Sequence, residues 1–274
     1  MRKIKKILKK MDEKKEILWQ FNFSTLEQFK GIVLGAKKFK KTFILGTSEG
    51  ESHYLSFPLA VFLKKKAEKE IGVPLILNYD HAKSFEKIKS AIKAGYDMIH
   101  FDGSSLPLKE NIKKTKEVVK FAKKYNVLVE GEVGFIPGRS KIEKVHFKKK
   151  FLTSPEEAKI FVKGTKVDFF AGSFGSAHGI SPGEHLDFER IKKIKKELKD
   201  VFLTLHGGSG VKNEEIKKAR ECGIFKINLN TELRKTFKNA LKKAVFSEFL
   251  KPYSFLQDVI FAISKTVEKK FKII

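Results

Sequence analysis

Short apolar runs of strand length alternate with helix-patterned stretches eight times along this chain, and that alternation constrains the fold more than any other feature. Strands are expected over 17–23, 42–47, 75–79, 98–101, 127–133 and 167–173, from 202, and over 225–229, with helices over 26–38, 54–70, 84–94, 108–124, 155–162, 187–198 and 213–221 and a long one from 232. Ser24 or Thr25 stands as the N-cap of the first of these helices. Eight alternations in 274 residues, without a composition break to mark a linker, predict an α/β fold: a single (β/α)8 barrel domain spanning 1–274. A basic amphipathic helix over 1–15, with Ile4, Leu8 and Met11 on one face, either caps the barrel bottom or lies on the surface; a helical tail over 248–274 ends the chain. A doubly wound open sheet is the alternative, disfavoured because no G-x-G-x-x-G turn follows the first strand.

The formal charge of +26 raises nucleic acid and anionic membranes as partners. Only five of the 58 basic residues are arginines, whereas specific base and phosphate readers favour the arginine fork. The lysines therefore read as a solvated surface that helps recruit an anionic substrate, with no specific nucleic-acid partner. The single cysteine, Cys222, excludes an intrachain disulfide and reads as a small buried residue in a reducing compartment. No run is long and apolar enough for a signal peptide or a membrane span, so the expected address is cytoplasmic.

In a (β/α)8 barrel the site lies at the C-terminal ends of the strands. Those ends carry Asn22, Ser48, Asp80 with His81, Asp102 with Ser104, Glu130 with Glu132, His178, His206, and Asn228 with Asn230. Residues two apart share a strand face, so Asn78 goes with Asp80, His100 with Asp102, Glu130 with Glu132 and Asn228 with Asn230. Histidines at three strand ends, His81, His178 and His206, suit an open metal site that leaves a fourth position for substrate or water, as in catalytic zinc centres. Of the remaining histidines, His53, His146 and His185 read as solvent-facing and His100 as a structural hydrogen bonder within its strand. The run FLTLHGGSG, residues 202–210, joins a ligand to a glycine turn whose bare amides can meet an anion.

The segments QFNFSTLEQFKGIV, ILGTSEGE, NYDHAKSFEKIKSAIKAGYDMIHFDGSSLPLKENIKKTKEVV, VEGEVG, FFAGSFGSAHG, LTLHGGSGV and KINLNTEL, in that order over residues 20–235, resemble the class II, metal-dependent ketose-bisphosphate aldolases. The resemblance implies a barrel, bound Zn2+ (Co2+ or another divalent ion also suits) and reversible cleavage of fructose 1,6-bisphosphate to dihydroxyacetone phosphate and glyceraldehyde 3-phosphate. It implies His81, His178 and His206 as zinc ligands, Asp102 and Glu132 as alternative or outer metal partners, and Asp80 as the acid/base for the cleaved hydroxyl. Asn22, Ser48 and Asn228 match substrate-contacting positions, and Gly179, Gly207, Ser209, Asn230 and Thr231 match the phosphate site, where Gly179, Gly207 and Ser209 also resemble a monovalent-cation site. Glu143 is the one acidic residue of the loop FIPGRSKIEK and so the candidate for moving the triose-carbon proton; Arg139 and Arg234 are the candidates for the second phosphate. The family often has an aspartate where this chain has Asn230, which removes an anionic acceptor. A homodimer or homotetramer is expected. Tagatose bisphosphate or another ketose bisphosphate is the alternative substrate, and a basic barrel that binds polyanions, with a residual site, is the alternative function.

Overall fold

A computed structural model describes residues 2–138, 141–142, 152–181 and 185–273. Its strands are β1 (Leu18–Asn22), β2 (Ile44–Ser48), β3 (Ile76–Ala82), β4 (Met98–Phe101), β5 (Leu128–Val133), β6 (Lys141–Ile142), β7 (Phe169–Gly172), β8 (Gly179–Ile180), β9 (Phe202–Leu205) and β10 (Ile224–Leu229). Eight of them close a parallel barrel in the order β1-β10-β9-β7-β5-β4-β3-β2, as the alternation predicts, while β6 and β8 form a separate two-stranded pair. That pair joins Lys141 to Gly179 and so ties the segment after β5 to the backbone beside His178.

The helices are α1 (Arg2–Glu13), α2 (Leu26–Lys37), α3 (Glu49–Leu55), α4 (Phe57–Ile71), α5 (Phe85–Ala94), α6 (Leu108–Lys124), α7 (Pro155–Thr165), α8 (Phe188–Leu198), α9 (Asn213–Glu221), α10 (Thr231–Ala244) and α11 (Pro252–Phe271). One expectation is corrected: the helix over 54–70 is two helices, α3 and α4. Ser48 and Glu51 form a capping box that starts α3 inside the expected loop. Ser56, at φ 71°, then turns the chain and caps α4 through the Leu59 amide, with Pro58 in its first turn. Thr25 rather than Ser24 caps α2.

Inside the barrel the inward side chains stack in layers. Leu18, Ile44, Ile76, Met98, Leu128, Phe169 and Phe225 make an apolar floor, and α1 closes it from below with Leu8, fully buried, and Met11. Of the two positions open to it, the N-terminal helix therefore takes the cap. Above the floor lies a layer with no solvent exposure that is almost wholly polar: Gln20, Asn78, His100, Glu130, Thr204 and Lys226. Apolar residues on the outer strand faces pack against the helices. The C-terminal helix α11 docks on α2, where a Cβ on Gly31 would meet Ile263 Cβ at 2.5 Å, so only glycine allows this approach.

Candidate active site

Adjacent residues of a regular strand point to opposite faces, so Asp80 and His81 cannot both enter a barrel mouth without a break in the ladder. β3 supplies that break. Its pairing with β4 runs Asn78 to Met98, Tyr79 to Ile99 and then Ala82 to Phe101, so Asp80 and His81 together oppose the single residue His100. His81 takes φ 53°, a conformation unfavourable for a side-chain-bearing residue, and its amide donates to the His100 ring at 3.1 Å instead of to the ladder. The bulge delivers both groups to one cavity of about 500 Å³, lined also by Asp102, His178, His206, Asn228 and the glycine turn.

The imidazoles converge there. Ring centroids of His81 lie 4.8 Å from His178 and 4.7 Å from His206, and His178 and His206 are 5.9 Å apart. Ligand atoms of Asp80, His81, His100 and His206 all lie within 4.8 Å of one another, as do those of His81, Asp102 and Glu132. His100, expected to be a structural hydrogen bonder, thus belongs to the donor cluster, whereas His178 stands beside both tight groups without entering either. His53 and His185 are exposed as expected, and His146 lies outside the described residues.

Two of these imidazoles, His206 and His81, are held by neighbouring groups. His206 Nε2 donates to Glu130 at 2.8 Å, which makes Nδ1 the acceptor nitrogen, and that atom accepts from the Asn228 amide at 3.2 Å. Glu130 is in turn held by Lys226 Nζ at 2.9 Å and by the Thr204 hydroxyl at 2.8 Å. His81 Nδ1 lies 3.1 Å from Asp102 and 3.8 Å from Glu132. Burial pushes His178 and His206 below the ordinary histidine range, with the His81 charge adding to the effect, so both are neutral and able to donate to a cation.

Asp80 is buried, which by itself disfavours its charge. The neighbouring His81 charge and the His100 imidazole nevertheless hold its carboxyl well below the usual range. Its two oxygens face Asn22 at 3.1 Å, Asn228 at 3.3 Å and His100 at 3.3 Å, so it sits ionised and fixed in direction.

A divalent cation fits this donor set. His100 Nε2 and Glu132 Oε2 are buried 3.1 Å apart yet not aligned for a hydrogen bond, and neither has another hydrogen-bond partner among the described residues. Imidazoles with carboxylates around such unsatisfied atoms are the chemistry that zinc and related ions take.

At the mouth, Gly207 turns at φ 73°, and a Cβ there would meet the Ala177 carbonyl oxygen at 2.1 Å, so no other residue fits. Gly179, Ser209, Asn230, Thr231 and Ser48 line the same cavity. Two participants were not legible in the sequence. Lys226 is one of many lysines, yet it is fully buried beneath the site. Glu51, 5% exposed, accepts from the Ser48 amide at 2.8 Å, from Asn22 and Asn230 at 3.1 Å each and from Arg234 at 2.6 Å. It restores the anionic acceptor that Asn230 removes; the S-x-x-E capping pattern was the one available signal. Arg234 lines the cavity, while Glu143 and Arg139 lie outside the described residues.

Residues 2–274 match the family model described as fructose-bisphosphate aldolase class-II. A 6-phospho-5-dehydro-2-deoxy-D-gluconate aldolase from Shouchella clausii is 37% identical, the alignment covering 95% of this chain and 90% of that protein. A fructose-bisphosphate aldolase from Geobacillus stearothermophilus is 36% identical over 88% of this chain and 84% of that one. Among solved structures, the YdjI aldolase from Escherichia coli K12 superposes with a TM-score of 0.85 at 28% identity, covering 98% of this chain and 95% of its own. With a whole-chain family match, relatives above one-third identity and a donor cluster at the mouth of the expected barrel, this chain belongs to the class-II fructose-bisphosphate aldolase family, metal-dependent lyases that act on sugar phosphates.

Proposed function

We propose that this protein is a zinc-dependent aldolase that reversibly cleaves fructose 1,6-bisphosphate to dihydroxyacetone phosphate and glyceraldehyde 3-phosphate, as in glycolysis and gluconeogenesis. The observation that carries this reading is an ionised carboxylate, Asp80, fixed beside a cluster of imidazoles and a few residues from an anion cradle. His81, His178 and His206 would hold the ion, with Asp102 and Glu132 as alternative or outer partners. When bound, the ion supplies Lewis acidity at the ketose carbonyl, stabilising the negative charge that develops as the carbon–carbon bond breaks.

The chain's own groups do the rest. Asp80 takes the proton of the hydroxyl that becomes the aldehyde and returns it in the synthetic direction. Asn22 and Asn228 hold that carboxylate in line and are the candidates for contacting substrate hydroxyls, Asn228 from the cavity lining itself. The backbone of Gly179 and Gly207, with Ser209, Asn230 and Thr231, receives a phosphate or, around Gly179, Gly207 and Ser209, a monovalent cation. Glu143 is the candidate that returns a proton to the triose carbon. The lone buried Cys222 suits a reducing cytoplasm, and the exposed Phe246, Phe249, Leu250 and Tyr253 suit a homodimer or homotetramer.

Metal analysis of the purified protein, with cleavage assays on fructose and tagatose bisphosphates side by side, tests the reading. Chelation should abolish turnover and zinc or cobalt restore it, and His206→Ala should lose metal and turnover together while remaining folded. Activity that survives complete chelation would overturn the metal mechanism. The Shouchella clausii relative favours 6-phospho-5-dehydro-2-deoxy-D-gluconate as a second substrate for the same assay.

A further inference from the structure

We propose that the buried Glu51 carboxylate is a positioning residue for the acid/base Asp80, acting through the side-chain amide of Asn22. The inference rests on the function proposed above and adds to it a residue that stands behind the cavity lining. Four donors converge on Glu51. Oε1 accepts from Asn230 at 3.1 Å and from Arg234 at 2.6 Å, and Oε2 accepts from the Ser48 amide at 2.8 Å and from Asn22 at 3.1 Å. Both oxygens must accept, which a carboxylate can do and an amide of the same shape cannot. The Arg234 guanidinium lies against the charge and makes a buried carboxylate tolerable there.

Asn22 Nδ2 is shared between two carboxylates, donating to Glu51 Oε2 and to Asp80 Oδ2 at 3.1 Å each. The other end of the amide is fixed independently. Asn22 Oδ1 accepts from Gln20 Nε2 at 2.8 Å, and Gln20 Oε1 accepts from Asn78 at 2.9 Å. Turning Asn22 over would set its oxygen against both carboxylates and its NH2 against the NH2 of Gln20. Gln20 therefore decides which end of the amide faces Asp80, and Glu51 decides where that end sits. Gly46 makes the room: it pairs with Asn22 across β1 and β2, and a Cβ there would meet Asn22 Oδ1 at 2.2 Å and Gln20 Nε2 at 2.7 Å. Asn78, Asn228 and His100 all meet Asp80 at Oδ1. Asn22 is thus the one hydrogen-bond partner of Oδ2 among the described residues, and Oδ2 is the oxygen whose direction Glu51 controls.

Asp80 moves the hydroxyl proton in carbon–carbon cleavage, whereas exchange of the triose-carbon hydrogen of dihydroxyacetone phosphate with deuterium oxide does not use that transfer. In the zinc-loaded protein at saturating substrate, Glu51→Gln should slow cleavage by about 10–100-fold while deuterium exchange stays within about threefold of the parent. A residue that only supports the fold would lower both rates together. Asn22→Ser cuts the link and should slow cleavage to a similar degree, and the double variant should be no slower than Asn22→Ser alone, because both changes break one path. Losses that multiply in the double variant would overturn the proposal, as would a Glu51→Gln protein that cleaves at the parent rate or loses exchange in proportion. Should Glu51→Gln not fold, Glu51→Asp, which keeps the charge but shortens the reach, takes its place in the same cycle. A crystal structure of the Glu51 variant separates this inference from the reading of function. If the parent protein cleaves no ketose bisphosphate, that reading fails, and the inference stands or falls on whether Asp80 Oδ2 has lost its bond to Asn22 in the variant.

Discussion

The floor and the mouth of the barrel are built from the same strands and obey opposite rules. On β3, Ile76 lies in the apolar floor above Leu8, Asn78 in the polar layer over it, and Asp80 at the mouth, successive inward positions along one ladder. The floor gains from burying surface that water would otherwise hydrate. The mouth buries a carboxylate cluster that is tolerable only because Asn22, Asn78, Asn228, Lys226 and the histidines satisfy it. Between them, Lys226 and Glu130 belong to both regions, since a fully buried ion pair is a folding commitment and Glu130 also orients His206.

That shared layer gives the largest expected effect. Lys226→Met leaves Glu130 charged and unpaired in the interior, which should cost about 3–5 kcal/mol of stability and disturb His206, so denaturant midpoint and turnover should fall together. Loss of one without the other would separate the layers. Next comes Leu8→Ala, which opens a cavity under the floor and should cost about 2–5 kcal/mol while turnover per folded molecule stays at the parent level. If turnover falls as well, floor and mouth are not independent. The smallest effect belongs to the mouth alone: Asp102→Asn weakens the group that orients His81, and metal affinity measured against a competing chelator should drop by roughly 10–100-fold with stability little changed. An unchanged affinity would remove Asp102 from the metal-supporting shell.

Much of this was legible in order along the chain. Apolar runs of strand length followed by capped helices gave the eight-fold alternation, and polar residues at the ends of those runs pointed to the mouth because inward positions recur every second residue. The same rule failed at Asp80 and His81, which share a face through a bulge that depends on how β3 meets β4. It also gave no means of distinguishing His100 as a member of the donor cluster from a histidine that only braces its strand.

Local pattern determined the barrel, its helices and the set of polar strand ends, because period and capping act over a few residues. The tertiary structure alone decided that Lys226, one of many lysines, is fully buried, that Glu51 gathers donors from β1, β2 and α10, and that α1 closes the floor. Burial and pairing depend on which distant strands come to face each other once the barrel closes, and no sequence neighbour carries that information.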